Sequence, residues 1–256
     1  MYIINGEKTL EPKIVLDAGY FFGQGVFETI LLRRGIPIML ESHLKRLNKG
    51  LNFLNIKQQK IKEEYVLSMI KKGGFYEGVL KIMVSEKNII FSTRELSYKE
   101  EEYKNGFSVK VSNVRRNESS SMPFLKTFNY YENISEKQKG KQEGYDEVIF
   151  LNGKGYITEG ATTNIFFIKK NKICTPKIDT GILNGTVRDF LINTFCGVYK
   201  FEEEYYNLKD LYESDGVFLT NSLLGIMKVK SINNKEIKQS LQIDELGNLY
   251  RKTLGI

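Results

Sequence analysis

Residues 157–169 read Ile157-Thr158-Glu159-Gly160-Ala161-Thr162-Thr163-Asn164-Ile165-Phe166-Phe167-Ile168-Lys169. A carboxylate closes one short strand, small residues form a loop, and an unbroken apolar run over 165–168 starts another strand. Small residues let a flat ligand approach the backbone closely. Taken alone, Glu159 reads more readily as an exposed turn glutamate. The following Lys169-Lys170-Asn171-Lys172 has the pattern of a hairpin turn between two strands. Outward from this core, strands are expected at 147–151, 156–158, 163–169 and 216–220. Helices are expected at Tyr131–Gln142 and Thr186–Phe195. Strands and helices mixed in this way describe an α+β chain.

The first half has the same character. Residues 1–5 and 8–16 pattern as neighbouring strands around Asn5-Gly6, and 27–33 with 38–40 flank Arg34-Gly35-Ile36-Pro37 as a hairpin. Leu40, Leu44, Leu47, Leu51 and Leu54 recur at threes and fours, the signature of a helix buried on one side. A second helix over 63–72 stops at Gly73-Gly74, and strands return at 78–85, 88–92 and 107–114. The polar, Ser-rich run from Arg115 to Pro123 is the best linker in the chain. The expected organisation is a domain over 1–114, a linker over 115–122 and a second domain over 123–256.

Composition narrows the chemistry. The 256 residues are 41% hydrophobic, enough for a sizeable core, and carry a net charge of +7. One histidine and two cysteines leave too few ligands for a Cys/His zinc site, and a histidine triad would depend on His43 alone. No disulfide framework is possible, and a reducing cytoplasm is expected. The N-terminus has charges at Glu7 and Lys8 and no sustained apolar stretch, and no run approaches the ~20 residues of a membrane span. Basic residues alternate with acids, as in Lys99-Glu100-Glu101-Glu102, which argues against a nucleic-acid surface.

Four further motifs could carry chemistry. In Phe124-Leu125-Lys126-Thr127-Phe128-Asn129-Tyr130 a lysine lies among aromatic residues, where desolvation favours the neutral amine needed for imine formation. The bland alternative is a solvated lysine in a lysine-rich chain. Gly181-Ile182-Leu183-Asn184-Gly185-Thr186-Val187-Arg188 leads into an amphipathic helix whose first amides suit an anion, or are merely capped by Asn184 or Thr186. Thr220-Asn221-Ser222-Leu223-Leu224-Gly225 follows a strand, as a phosphate loop or a plain turn. Arg46, in Ser42-His43-Leu44-Lys45-Arg46-Leu47, is off the leucine stripe and reads in isolation as a solvated arginine.

In this order, and preceded by Tyr20-Phe21-Phe22-Gly23-Gln24-Gly25-Val26-Phe27-Glu28-Thr29, these motifs resemble the class IV (fold-type IV) aminotransferase family over nearly the whole chain. That family includes branched-chain and D-amino-acid aminotransferases and 4-amino-4-deoxychorismate lyase, all dependent on pyridoxal 5′-phosphate. The resemblance implies a two-domain fold like D-amino-acid aminotransferase, with a smaller N-terminal α/β sandwich and a larger C-terminal α/β barrel-like domain. It implies that Lys126 is the Schiff-base lysine and proton carrier. Glu159 would face the pyridine nitrogen and Tyr130 the phenolate oxygen. Arg46, Thr186, Val187 and Ser222 would hold the phosphate, with Asn164 nearby. No metal, nucleic acid or membrane is implied. A cytoplasmic homodimer is.

Within the family, Asn184-Gly185 and the strand Leu80-Lys81-Ile82-Met83-Val84-Ser85 resemble the lyases, and the chain is short for a branched-chain enzyme. Thr29 then becomes a candidate catalytic contact to substrate or proton relay. The expected activity is carbon–oxygen lysis of aminodeoxychorismate to 4-aminobenzoate and pyruvate. The alternatives are a D- or branched-chain aminotransferase using 2-oxoglutarate and, more remotely, a non-catalytic binding protein of the same fold. Two features depart from the lyases: Glu86-Lys87-Asn88 replaces the usual Arg-Gly loop, a common source of substrate-carboxylate contacts, and Tyr130 is more like the aminotransferases. Gln24 replaces an aspartate usual in the family.

Overall fold

A computed structural model describes residues 1–256. The chain divides into two compact units, Met1–Ser97 with Leu125–Tyr130, and Tyr98–Phe124 with Tyr131–Ile256.

The first unit contains β1 (Tyr2–Ile4), β2 (Glu7–Thr9), α1 (Ala18–Phe22), β3 (Val26–Arg33), β4 (Ile36–Pro37), α2 (Leu40–Phe53), α3 (Glu63–Gly73), β5 (Gly78–Val84) and β6 (Ile89–Arg94). Its strands form one antiparallel sheet in the order β2-β1-β6-β5-β3-β4. Strand side chains alternate between faces. Ile3, Ile30, Leu80, Ile82 and Phe91 therefore share one face, where they are fully buried with Leu44, Leu47 and Leu51 of α2 and Val66 and Ile70 of α3. The leucine stripe does what its spacing requires. The strand expected over 8–16 ends at Thr9 instead. β2 is an edge strand, Pro12 cannot donate to a ladder, and Leu10, Val15 and Leu16 are left exposed.

The second unit contains α4 (Glu100–Asn105), β7 (Phe107–Arg116), α5 (Tyr131–Gln142), β8 (Glu147–Asn152), β9 (Ile157–Gly160), β10 (Asn164–Lys169), β11 (Lys172–Pro176), α6 (Thr186–Phe195), β12 (Lys200–Glu204), α7 (Leu208–Tyr212), β13 (Gly216–Asn221), β14 (Gly225–Ile232), β15 (Lys235–Glu236) and α8 (Leu241–Leu254). Its mixed sheet runs β12-β11-β10-β13-β14-β7-β8-β9, with β15 beside β14. The sheet curls, so that β9 at one end approaches β10 and β11 near the other. Phe107, Ile149, Ile165, Phe167, Leu219 and Met227 fill its core. The β10–β11 turn is a tight hairpin, with Lys170 and Asn171 both left-handed at φ 50° and 63°.

The boundary expected at 114/115 falls near Ser97/Tyr98. β7 runs parallel to both β14 and β8, so its pairing assigns it to the second unit. The polar run over 115–122 is thus no connector between units: Arg115 and Arg116 still pair with Leu151 and Asn152. Residues 125–130, expected in the second domain, return to the first.

Candidate active site

The Lys126 segment belongs to the first unit because it bonds to the start of β3. Phe27 N–H donates to the Lys126 carbonyl and Phe128 N–H to the Gly25 carbonyl, both at 2.9 Å. A Cβ on Gly25 would collide with the Phe128 ring, so only glycine permits this approach. The Lys126 ammonium lies 4.4 Å from the Phe27 ring centre and 4.8 Å from that of Tyr130. These two rings meet edge to face at 5.1 Å. The lysine is half-buried in an aromatic setting, as its sequence context suggested.

Alternation along β3 sends the next residue, Glu28, toward α2. There its fully buried carboxylate accepts two bonds from Arg46, Nε at 2.7 Å and Nη2 at 2.6 Å, and approaches His43 Nδ1 at 2.6 Å. Arg46 is a held group with a side chain only 16% exposed, not the solvated arginine of the bland reading. Burial alone would raise the Glu28 pKa, but the Arg46 and His43 charges and bonds bring it down to about 2. Burial drives His43 the other way, below its usual value, against the opposing pull of Glu28. His43 Nε2 is buried with no partner, which suits a neutral ring donating from Nδ1.

In the second unit, Glu159 is the penultimate residue of β9 and is only 7% exposed, which removes the exposed-turn alternative. Its Oε2 accepts from Leu183 N–H at 3.0 Å and from Asn164 Nδ2 at 3.4 Å, and Arg116 Nη2 lies 3.9 Å from Oε1. Asn164 also donates to the Leu183 carbonyl at 2.9 Å, tying the β9–β10 loop to the segment before α6. Arg116 is held over the Phe150 ring at 4.0 Å and pairs with Glu132 at 2.6 Å.

Helix α6 begins with Gly185 at its N-cap, where no side-chain cap bond forms. Asn184 Nδ2 donates to Asp189 and Asn184 Oδ1 accepts from Arg188, which ties the residue before the N-cap into the first turn. A Cβ on Gly185 would overlap Asn164 Oδ1. Thr186 and Val187 follow, both buried. Ser222 sits in the tight β13–β14 turn, where Asn221 Oδ1 accepts from Leu223 and Leu224 and Asn221 Nδ2 reaches the Thr162 carbonyl at 3.1 Å. Thr220 Oγ1 beside it is buried without a partner.

Lys126, Tyr130, Arg46 and Thr29 therefore belong to the first unit, and Glu159, Asn164, Thr186, Val187 and Ser222 to the second. Glu28, Arg116 and Arg188 were not anticipated. The buried Arg188 bonds to Pro176, Glu203 and Asn184, anchoring the start of α6. A lone carboxylate in the strand Val26-Phe27-Glu28-Thr29-Ile30-Leu31-Leu32 was the available signal for Glu28; nothing local marked Arg116. The Ser85–Asn88 segment closes β5 to β6 tightly, with Asp17 Oδ2 accepting from Ser85 Oγ and Lys87 N–H.

The first unit sets an amine among aromatic rings and fixes a guanidinium, and the second buries a carboxylate among donors and starts a helix at a glycine N-cap. They suit an aldehyde, a phosphate and a pyridine nitrogen. Residues 25–232 match the model of the amino-transferase class IV family. The chain is 30% identical to the aminodeoxychorismate lyase of Bacillus subtilis (strain 168), across 99% of this chain and 94% of that one. It is 28% identical to the D-alanine aminotransferase of Bacillus licheniformis, across 86% and 83%. The fold matches the crystal structure of 4-amino-4-deoxychorismate lyase from Pseudomonas aeruginosa with a TM-score of 0.90, over 100% of both chains at 23% identity. The chain belongs to the class IV aminotransferases, a family of enzymes whose cofactor is pyridoxal 5′-phosphate. No helix is long and apolar enough to cross a membrane.

Proposed function

We propose that this protein is a 4-amino-4-deoxychorismate lyase, converting aminodeoxychorismate to 4-aminobenzoate and pyruvate in folate synthesis. The observation that carries the reading is the likeness to the Bacillus subtilis lyase along almost the full length of both chains. Asn184-Gly185 and the Leu80–Ser85 strand pattern add to it.

Bound pyridoxal phosphate supplies an aldehyde that captures an amine and a protonated ring that draws electrons from the adjoining carbon. Lys126 would hold the cofactor through its aldehyde, and its amine, once released, would take the proton from the substrate carbon bearing nitrogen. Loss of that proton would let the neighbouring C–O bond to the enolpyruvyl group break, so that the ring becomes aromatic and the leaving group gains a proton to become pyruvate. Glu159 would keep the ring nitrogen protonated through a charge-assisted bond. Tyr130 would bond to the phenolate oxygen, and Asn164 fixes Glu159 and Leu183. Arg46, the first amides of α6 at Thr186 and Val187, and Ser222 would hold the phosphate. Thr29 contacts substrate or relays a proton.

The competing reading, transamination, is favoured by Tyr130 and by the likeness to D-alanine aminotransferase. Product analysis with aminodeoxychorismate, with and without an added 2-oxo acid, separates the two. The protein is further inferred to be a cytoplasmic homodimer. Exposed Tyr20, Phe21 and Phe22 on α1, beside exposed Val15 and Leu16, support that assembly.

A further inference from the structure

The face of the first unit's sheet opposite its α2–α3 core carries a polar row. Thr29 of β3, Lys81 of β5 and Ser92 of β6 stand directly opposite one another in register across three strands. Phe27 and Met83 form the adjoining row. The Lys81 ammonium lies 5.1 Å from the centre of the Phe27 ring, the same ring that Lys126 approaches at 4.4 Å. No carboxylate pairs with Lys81. Burial, followed by the nearby Arg94 charge, pushes its pKa below the usual lysine value. Half-buried lysines normally take an acidic partner. This one faces hydroxyls and a second cation.

We propose that Lys81, flanked by Thr29 and Ser92, anchors the ring carboxylate of the substrate. Lys81 and Lys126 both approach the Phe27 ring, and the substrate amine would take the place of the Lys126 nitrogen on the cofactor. A flat ring with an amine at one end and a carboxylate at the other matches that arrangement, with the carboxylate at Lys81. An α-amino acid, with both groups on one carbon, does not. The anchor also offers a substitute for the Arg-Gly loop that this chain lacks. The inference rests on the lyase reading and on Lys126 as the cofactor-bearing residue.

The test compares binding of 4-aminobenzoate and of aniline, which lacks the carboxylate, to the cofactor-loaded protein by calorimetry. Wild type should prefer 4-aminobenzoate. In Lys81→Met that preference should fall roughly 10- to 100-fold, the size of a lost charge-assisted bond. The KM for aminodeoxychorismate should rise by a similar factor with a smaller change in kcat. The visible spectrum and the borohydride-trapped attachment at Lys126 should not change. Lys81→Arg should retain most of the preference, and it carries the comparison if the methionine variant fails to fold. A wild type that forms 4-aminobenzoate, together with a Lys81→Met that keeps the preference, overturns the anchor alone. A wild type that forms no 4-aminobenzoate overturns the lyase reading itself.

Discussion

Glu28 is fully buried, yet its carboxylate is charged, because Arg46 grips it through two bonds and His43 donates a third. A group whose folded pKa is depressed adds stability above its unfolded value, and that stability is lost as the pH falls toward the folded value of about 2. His43 acts in the same direction at higher pH. Its folded pKa is lowered, so below about 6.5 the unfolded chain gains a proton that the folded protein refuses. Urea midpoints should therefore decline from about pH 7 to pH 5, and His43→Gln should flatten that decline. At the proposed catalytic residues, Lys126→Ala should abolish the borohydride-reducible attachment seen by mass spectrometry. Glu159→Gln should keep cofactor but lose roughly 100-fold or more in kcat; full turnover would remove Glu159 from its role. The aromatic setting of Lys126 was legible from its neighbours. The Arg46 grip was not, because its partner lies 18 residues away on a strand.

Elements were legible where periodicity was strong. The leucine stripe of α2 and the turn at Lys170-Asn171 follow from spacing and turn chemistry. α8 escaped notice because polar residues surround its narrow apolar face, although Ile243, Leu246 and Tyr250 keep threefold and fourfold spacing and are buried. Ile243 and Tyr250 pack where Gly216 and Gly225 leave room. Leu246→Ala should cost about 2–5 kcal/mol of unfolding free energy, the range for a fully buried leucine; a change within about 0.5 kcal/mol would mean that α8 is peripheral to stability. β7 misled in a different way. Its pairing with β8 shifts register between Val111 and Arg115, so the ladder resumes inside a stretch whose polarity resembles a linker.

On the scale of the whole molecule, the scarcity of histidine and cysteine fits an enzyme whose reactivity comes from a cofactor. The net charge of +7 favours anionic ligands and need not imply nucleic acid. Motif order gave the family; the division into units needed strand pairing, which no local pattern encodes. The exposed aromatic residues of α1 make the proposed dimer testable. Sedimentation should give twice the 29.6 kDa chain mass, and Phe22→Asp should shift the population toward monomer. A dimer untouched by that change would place its interface elsewhere.

The lyase assignment meets its most direct test in purified, cofactor-loaded protein given aminodeoxychorismate and no 2-oxo acid. 4-Aminobenzoate and pyruvate should appear in equal amounts over many turnovers. No 4-aminobenzoate, with turnover restored only when an amino acid and a 2-oxo acid are supplied together, would contradict it.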